Sequence, residues 1–136
     1  MKTIYLFAIV IAIVFQSKNG FSQKSGFLKV QFDVTDSVKN PIDNPTITLF
    51  EGNNELQKLN SNHCTFKLDL NKTYTVEVSA NTYSSKTILF DTKVSEADLI
   101  YKYDLRVVLL HRILPEKSVT KICYDEKVKC FDFFLK

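Results

Sequence analysis

Apolar and polar residues alternate along most of the chain after residue 26, which is typical of strands with one buried and one solvated face. The segment 28–34 shows it most clearly, and segments 47–49, 66–70 and 74–80 repeat it. The alternation predicts a core made of Leu28, Val30, Phe32, Val34, Ile47, Leu49, Phe66, Leu68, Tyr74, Val76, Val78, Leu105, Val107 and Leu109.

Polar segments rich in Asp, Asn, Ser and Pro separate these strands, and no long amphipathic helix is present. Residues 93–102 lack a strand pattern and could form one helical turn, whereas residues 104–112 are apolar enough to predict a central strand buried on both faces. Two short strands, 119–124 and 130–134, follow. Short strands joined by polar turns predict an all-β protein, an antiparallel Greek-key β-sandwich of seven to nine strands or a small barrel.

The first 22 residues have the features of a secretory signal peptide. Lys2 precedes an uncharged apolar run at 4–15, and Gly20 and Ser22 place small residues before a cleavage point. The run is too short to span a bilayer, and no later segment is apolar enough to do so. We therefore expect a cleaved leader, a single mature domain at 23–136, and a secreted or periplasmic location.

Composition and motifs argue against several function classes. Removing the two lysines of the leader lowers the formal net charge from +3 to +1, which is not the basic surface of a nucleic-acid binder. The chain has no glycine-rich phosphate loop, no HExxH and no GxSxG motif, and His63 and His111 share no ligand spacing with the cysteines. We expect no cofactor, no metal site and no enzymatic activity.

Three cysteines remain in a chain that we expect to be exported, so one disulfide is plausible. If 119–124 and 130–134 pair around a turn at 125–128, Cys123 lies opposite Cys130 within disulfide reach. Cys64 is then the odd thiol. The alternative is that all three cysteines stay reduced.

The chain also resembles the carboxypeptidase-regulatory-like, or transthyretin-like, β-sandwich family of exported bacterial proteins. The resemblance lies in Val34-Thr35-Asp36, in 40–49 with its two prolines, and in 66–78 followed by Tyr83. Asn40, Thr73 and Thr82 replace glycines of the family pattern. The resemblance implies the sandwich fold and an accessory, adhesive or stabilising role. The ring of Tyr74 could pack between the sheets while its hydroxyl meets backbone at a corner.

Aromatic residues near the C-terminus are the candidate binding residues. They could form an exposed docking patch, or they could be covered on both sides by the fold. The leading interpretation is a non-enzymatic binding or adhesion module for an unknown protein or cell-surface partner. The alternative is a structural or assembly subunit of a cell-envelope complex. The candidate docking residues are Tyr101, Tyr103, Phe131, Phe133 and Phe134.

Overall fold

The computed structural model describes residues 25–111 and 118–133, and these form two packed β-sheets. The predicted leader, 1–22, and the candidate residue Phe134 lie outside the described residues. The described residues form nine strands: β1 (Phe27–Thr35), β2 (Thr46–Glu51), β3 (Asn54–Asn60), β4 (His63–Asp69), β5 (Thr73–Ser79), β6 (Lys86–Asp91), β7 (Ile100–Val108), β8 (Ser118–Asp125) and β9 (Cys130–Phe133).

The smaller sheet has the strand order β4-β1-β7, and the larger has the order β3-β2-β5-β6-β8-β9. The predicted all-β sandwich and its strand number are confirmed. The sheets are mixed, however, rather than purely antiparallel, because β1 pairs with β7 and β6 with β8 in parallel. Alternation of side chains fixes which face of a strand is buried, but it does not specify strand direction or neighbours, so the parallel pairs were not predicted.

The core lies between the sheets, and every residue of the predicted core is buried. Phe32 on β1 is at its centre: its ring meets Phe66 of the neighbouring strand edge-on at 5.4 Å and Phe90 of the larger sheet at 6.0 Å. Such edge-to-face contacts add to the hydrophobic gain of burying the rings. The pattern of alternation therefore located the buried face of each predicted core strand.

Tyr74 behaves as expected for a tyrosine at a sandwich corner. Its ring is buried, and its hydroxyl accepts a hydrogen bond from the Asp69 N–H at 3.2 Å, across the turn between β4 and β5. Burial is the largest influence on this phenol and raises its pKa. The hydroxyl of Tyr74 therefore bonds the end of β4 in the smaller sheet to the start of β5 in the larger one.

The predicted central strand at 104–112 is wrong in both extent and position. The strand is β7, it begins at Ile100, and among the described residues it lies at the edge of the smaller sheet. Its outer face is uncovered, and Leu110, beyond its end, is 59% exposed. The apolar run therefore reflects one buried face followed by a loop, not burial on both faces. The possible helical turn at 93–102 is also absent: residues 93–99 contain bends and a turn but no helix, and Ile100 to Lys102 already belong to β7.

Candidate functional site

The aromatic candidates meet along one open side of the sandwich, where the edge strand β7 of the smaller sheet lies beside the edge strand β9 of the larger one. Side chains from β7, β8 and β9 point into the gap between the two edges. We call this group the aromatic cluster; it consists of Tyr101, Tyr103, Tyr124, Phe131 and Phe133.

The rings of the aromatic cluster contact one another mainly edge to face. Tyr101 lies 5.2 Å from Tyr124 and 5.6 Å from Phe131, and Tyr124 lies 5.3 Å from Phe131 (all ring centroids). Tyr103 meets Phe133 at 6.3 Å. These spacings are within the range of favourable aromatic pairs, so the cluster ties the edges of the two sheets together.

Burial divides the aromatic cluster into an inner and an outer part. Phe131 is 4% exposed and packs into the core, whereas Phe133, two residues on and on the same face of β9, is 47% exposed. The three tyrosines are half-buried. Of the two interpretations left open by the sequence, coverage by the fold describes Phe131, and an exposed patch describes Phe133.

Four of the five predicted residues are brought together, and Tyr124 was missed. The signal for Tyr124 was its place two residues after Ile122, on the same face of a short strand. Ile122 is buried and opposes Phe133, and Tyr124 opposes Phe131. Alternation alone would have placed Tyr124 on the inward face.

Two phenols of the cluster, those of Tyr101 and Tyr103, have a raised pKa and stay neutral near pH 7. Burial first, and then the nearby Asp132 and Cys130, raise the pKa of Tyr103 to about 12. Burial, followed by the neighbouring Tyr124, also raises the pKa of Tyr101, whose hydroxyl donates a hydrogen bond to the Glu96 carbonyl at 3.0 Å. Neutral phenols can contact and donate to a partner, but they are poor bases and nucleophiles near neutral pH.

The backbone of β7 leaves one edge open. The Phe27 N–H donates to the Leu99 carbonyl at 3.1 Å, and the Leu109 N–H donates to the Thr35 carbonyl at 2.9 Å, so odd-numbered residues of β7 face β1. Even-numbered residues consequently direct N–H and C=O groups outward, where no described strand pairs with them. The Lys86 ammonium caps the last of these carbonyls, at Val108. The outward set that remains is Ile100, Lys102, Asp104 and Arg106.

The predicted register of β8 and β9 is wrong. Asp125, not Cys123, lies opposite Cys130, and Cys123 lies opposite Asp132. The hairpin closes through residues 126–129, because the Asp125 carboxylate accepts the Lys127 N–H at 2.8 Å and Lys129 adopts a left-handed conformation. Cys64, Cys123 and Cys130 are free thiols, and the argument for a bridge by direct opposition no longer holds.

Two open depressions hold the polar groups that could suggest chemistry. One, of about 520 Å³, lies beside the aromatic cluster. Each of its carboxylates has a cationic or hydrogen-bonding partner. Asp91 pairs with Lys121 at 3.5 Å, and hydrogen bonds from Lys129 and Ser95 lower the pKa of Glu126. Within residues 25–111 and 118–133, no group of three or more His, Cys, Asp or Glu side chains could hold a metal ion.

The second depression, of about 460 Å³, contains a histidine–carboxylate pair, with His63 Nδ1 2.5 Å from an Asp33 oxygen. The nearest thiol along the chain, Cys64, faces the core, and burial followed by the charge of Asp33 raises its pKa to about 11. A thiol on the opposite face of the strand, kept protonated, cannot be activated by this histidine. The pair is a surface contact between adjacent strands.

Comparison with known proteins gives no family. No family model matches the chain, and no curated protein matches it significantly. Solved structures that resemble it include a mutant catechol 1,2-dioxygenase from Acinetobacter radioresistens, with 12% identity, 74% of this chain and 57% of that chain covered, and a TM-score of 0.45. The wild-type enzyme has 12% identity and a TM-score of 0.39, with 75% of this chain and 60% of that chain covered. A mercury-inhibited catechol 1,2-dioxygenase from Acinetobacter sp. ADP1 has 8% identity and a TM-score of 0.36, with 68% of this chain and 55% of that chain covered.

This chain therefore spans between a half and two thirds of the length of those enzymes. Scores this low do not establish a shared fold, and they say nothing about the activity of this chain. No helix among the described residues is long and apolar enough to cross a membrane.

Proposed function

We propose that this protein is an exported, non-enzymatic binding module that engages a protein partner through its open side. The binding surface comprises the free edge of β7 and the exposed part of the aromatic cluster on β9. The resemblance to transthyretin-like accessory domains and the predicted leader are part of the same proposal: a secreted or periplasmic module whose partner lies in the cell envelope.

The observation that carries the proposal is the pairing of an open edge with an exposed aromatic ring. Residues 100–106 of β7 offer outward backbone groups that an extended segment of a partner could pair with. Phe133, 47% exposed, lies beside the same edge because its ring contacts Tyr103 of β7. Strand addition supplies main-chain hydrogen bonds, and an aromatic anchor supplies much of the binding energy at such surfaces.

Two substitutions test the two parts of this surface separately. Asp104→Pro removes an outward N–H without removing a hydrogen bond to β1, so the edge is blocked while the sheet is kept. Phe133→Ala removes the exposed ring. Val38→Ala, in the loop between β1 and β2, is the control because Val38 is exposed and belongs to neither β7 nor β9.

The measurement is capture of envelope proteins by the tagged mature protein, with cross-links mapped by mass spectrometry. We expect the parent protein and Val38→Ala to capture the same partner in equal amounts. Each of the two surface variants should capture at least tenfold less of it. The cross-links should map near β7 or β9. A partner retained equally by all four proteins would refute the proposed surface.

An assembly role is the second candidate, and the length of β7 favours it. A nine-residue edge strand with no described partner on one side is a template for pairing with a second copy. In that case, native mass spectrometry of the purified protein would show an oligomer that Asp104→Pro dissociates. A monomer that captures a different envelope protein would instead support the binding module.

A further inference from the structure

The open edge of β7 is complementary in charge to itself when the strand is reversed. In chain order, its outward set is Ile100, Lys102, Asp104 and Arg106. Placed against its own reverse, the set opposes Lys102 to Asp104 twice. It also opposes Ile100, which is 60% exposed, to Arg106, whose aliphatic stem can cover an apolar neighbour. No like charges face each other in this arrangement.

We propose that β7 pairs antiparallel with β7 of a second copy of this chain, with Tyr103 facing its own copy at the two-fold axis. The inference rests on the assembly candidate given above and deepens it, because it specifies the register of the pair. The axis is perpendicular to the sheet, so the covered faces of both smaller sheets stay on the same side. The joined sheet has the order β4-β1-β7 in one copy, followed by β7-β1-β4 in the other.

Backbone geometry allows only a few registers for this pair. In an antiparallel pair, two opposite residues exchange two hydrogen bonds when both direct their N–H and C=O groups toward the partner strand. The outward groups of β7 belong to its even-numbered residues, so an even-numbered residue must oppose an even-numbered one. The register can therefore change only in steps of two residues.

Charge selects one of these registers. A move of two residues in one direction places Lys102 opposite itself, and a move of two in the other places Asp104 opposite itself and Lys102 opposite Arg106. Like charges directly opposite destabilise a strand pair, whereas unlike charges stabilise it. A move of four residues pairs Asp104 with Arg106 but engages Val108, whose carbonyl already accepts from the Lys86 ammonium at 3.4 Å. A move of four in the opposite direction leaves only the first two outward residues paired.

The residue at the axis adds an aromatic contact to the charge pairs. Tyr103 lies at a non-hydrogen-bonded site of the proposed pair, where opposite Cα atoms are about 4.5 Å apart. Aromatic pairs are favourable at such sites. Phe133, 47% exposed, meets Tyr103 at 6.3 Å, so the pairing brings the aromatic clusters of the two copies together. Charged residues usually protect an edge strand from pairing, but the order of charges on β7 favours one register.

Charge reversal tests this register with the purified mature protein. Lys102→Glu and Asp104→Lys each replace two attractive contacts of the dimer with two repulsive ones, and the double variant restores both with the charges exchanged. Lys58→Glu, at an exposed position of β3, is the control with the same change of charge as Lys102→Glu. Among the described residues, neither Lys102 nor Asp104 forms an ion pair, so no such contact within the monomer is broken.

Sedimentation equilibrium measures the dissociation constant of the dimer. We expect it to be equal for the parent protein and Lys58→Glu, and to rise about tenfold or more in each single variant. The double variant should return it to within about threefold of the parent value, since the exchanged charges again face each other. An equimolar mixture of the two single variants, one labelled with a heavy nitrogen isotope, should form a heterodimer in native mass spectrometry, because each supplies the charge that the other has reversed.

The self-pairing would be overturned by a parent protein that stays monomeric at its highest soluble concentration, by single variants that dimerise as the parent does, or by a double variant that stays dissociated. These measurements use purified protein alone, so they are separate from the capture of envelope proteins. A monomer that loses its envelope partner in Asp104→Pro would refute the self-pairing and keep the binding module. A dimer with the expected charge dependence, whose capture does not depend on the edge, would refute the binding module alone.

Discussion

Thr92, Thr87 and Thr35 are buried threonines whose hydroxyls have different surroundings. The Thr92 hydroxyl accepts the Lys72 N–H at 3.0 Å and lies within 2.9 Å of the carbonyls of Asp69 and Lys72. It therefore holds the turn between β4 and β5, where Asn71 has a left-handed conformation. The hydroxyls of Thr87 and Thr35 have no hydrogen-bond partner among the residues that the structure describes. Burial alone does not say whether a polar group stabilises the fold.

Replacing Thr92 with valine should lower the free energy of unfolding by about 1–3 kcal/mol, because the Lys72 N–H then loses its acceptor. Thr87→Val is the matched control: it removes a hydroxyl that makes no hydrogen bond to any described residue, so its effect should be near zero or stabilising. Urea unfolding monitored by tyrosine fluorescence measures both. Equal losses for the two variants would contradict the role given to Thr92.

The sequence did not reveal Thr92, and the reason is physical. A threonine after a strand is ordinary in a β-protein, and its partners at Asp69 and Lys72 are distant in the chain. Tyr74 could be anticipated because a ring that belongs to the buried face also needs a partner for its hydroxyl. Residues whose role follows from their own face of a strand were predictable, and residues whose role depends on a distant turn were not.

At the scale of the elements, the parallel pairing of β1 and β7 begins at a close backbone contact. The Gly26 N–H donates to the Ala97 carbonyl at 2.8 Å, and a Cβ atom at Gly26 would lie 2.0 Å from the Leu99 carbonyl oxygen. The carbonyl oxygens of Ala97 and Leu99 are backbone atoms, so neither can move without shifting the start of β7. Only glycine permits this approach.

Gly26→Ala should therefore cost about 1–3 kcal/mol or more and loosen the start of β7. Gly52→Asn is the control, because Gly52 has a φ of 60° and open space around it, and asparagine tolerates that conformation. Hydrogen exchange at residues 100–104, together with urea unfolding, checks the prediction. Unchanged protection of β7 in Gly26→Ala would show that the contact does not set the pairing.

The strands were more predictable than their partners. Alternation located β1 to within a residue at each end, because one of its faces is buried and the other is solvated. It missed the first half of β7, where Tyr101 and Tyr103 are only half-buried, and it misplaced the register of the last hairpin, which the side chain of Asp125 sets. The same holds for the candidate site. Its aromatic residues could be recognised from the sequence by their type, but their contacts across the two sheets could not be predicted.

At the scale of the whole molecule, the three thiols differ in their exposure to solvent, so their reactivities measure different degrees of opening. Cys130 is exposed, Cys123 is half-buried, and Cys64 lies in the core with its pKa raised to about 11 by burial and by Asp33. At pH 8 the Cys64 thiol is therefore protonated as well as covered. Reagents that attack thiolates can reach it only when the domain unfolds.

We expect iodoacetamide at pH 8 to label Cys130 first, then Cys123, and Cys64 only at the rate of global opening, as followed by peptide mass spectrometry. Phe66→Ala should cost about 3–5 kcal/mol and accelerate labelling of Cys64 alone. Rapid labelling of Cys64 in the parent protein would contradict its burial. One free thiol in unreduced protein, with Cys123 linked to Cys130, would restore the bridge that the register argues against.

The central place of β1 in the smaller sheet has a consequence for how the chain folds. Both partners of β1, the strands β4 and β7, lie later in the chain than β1 itself, and Phe27 pairs with Ile100. The larger sheet can begin from local hairpins, such as β2 with β3 and β5 with β6. The smaller sheet must wait for a non-local closure, which is slow. Until β7 has been synthesised, β1 lacks one of its two partners, and a nascent chain that ends before residue 100 cannot complete the smaller sheet.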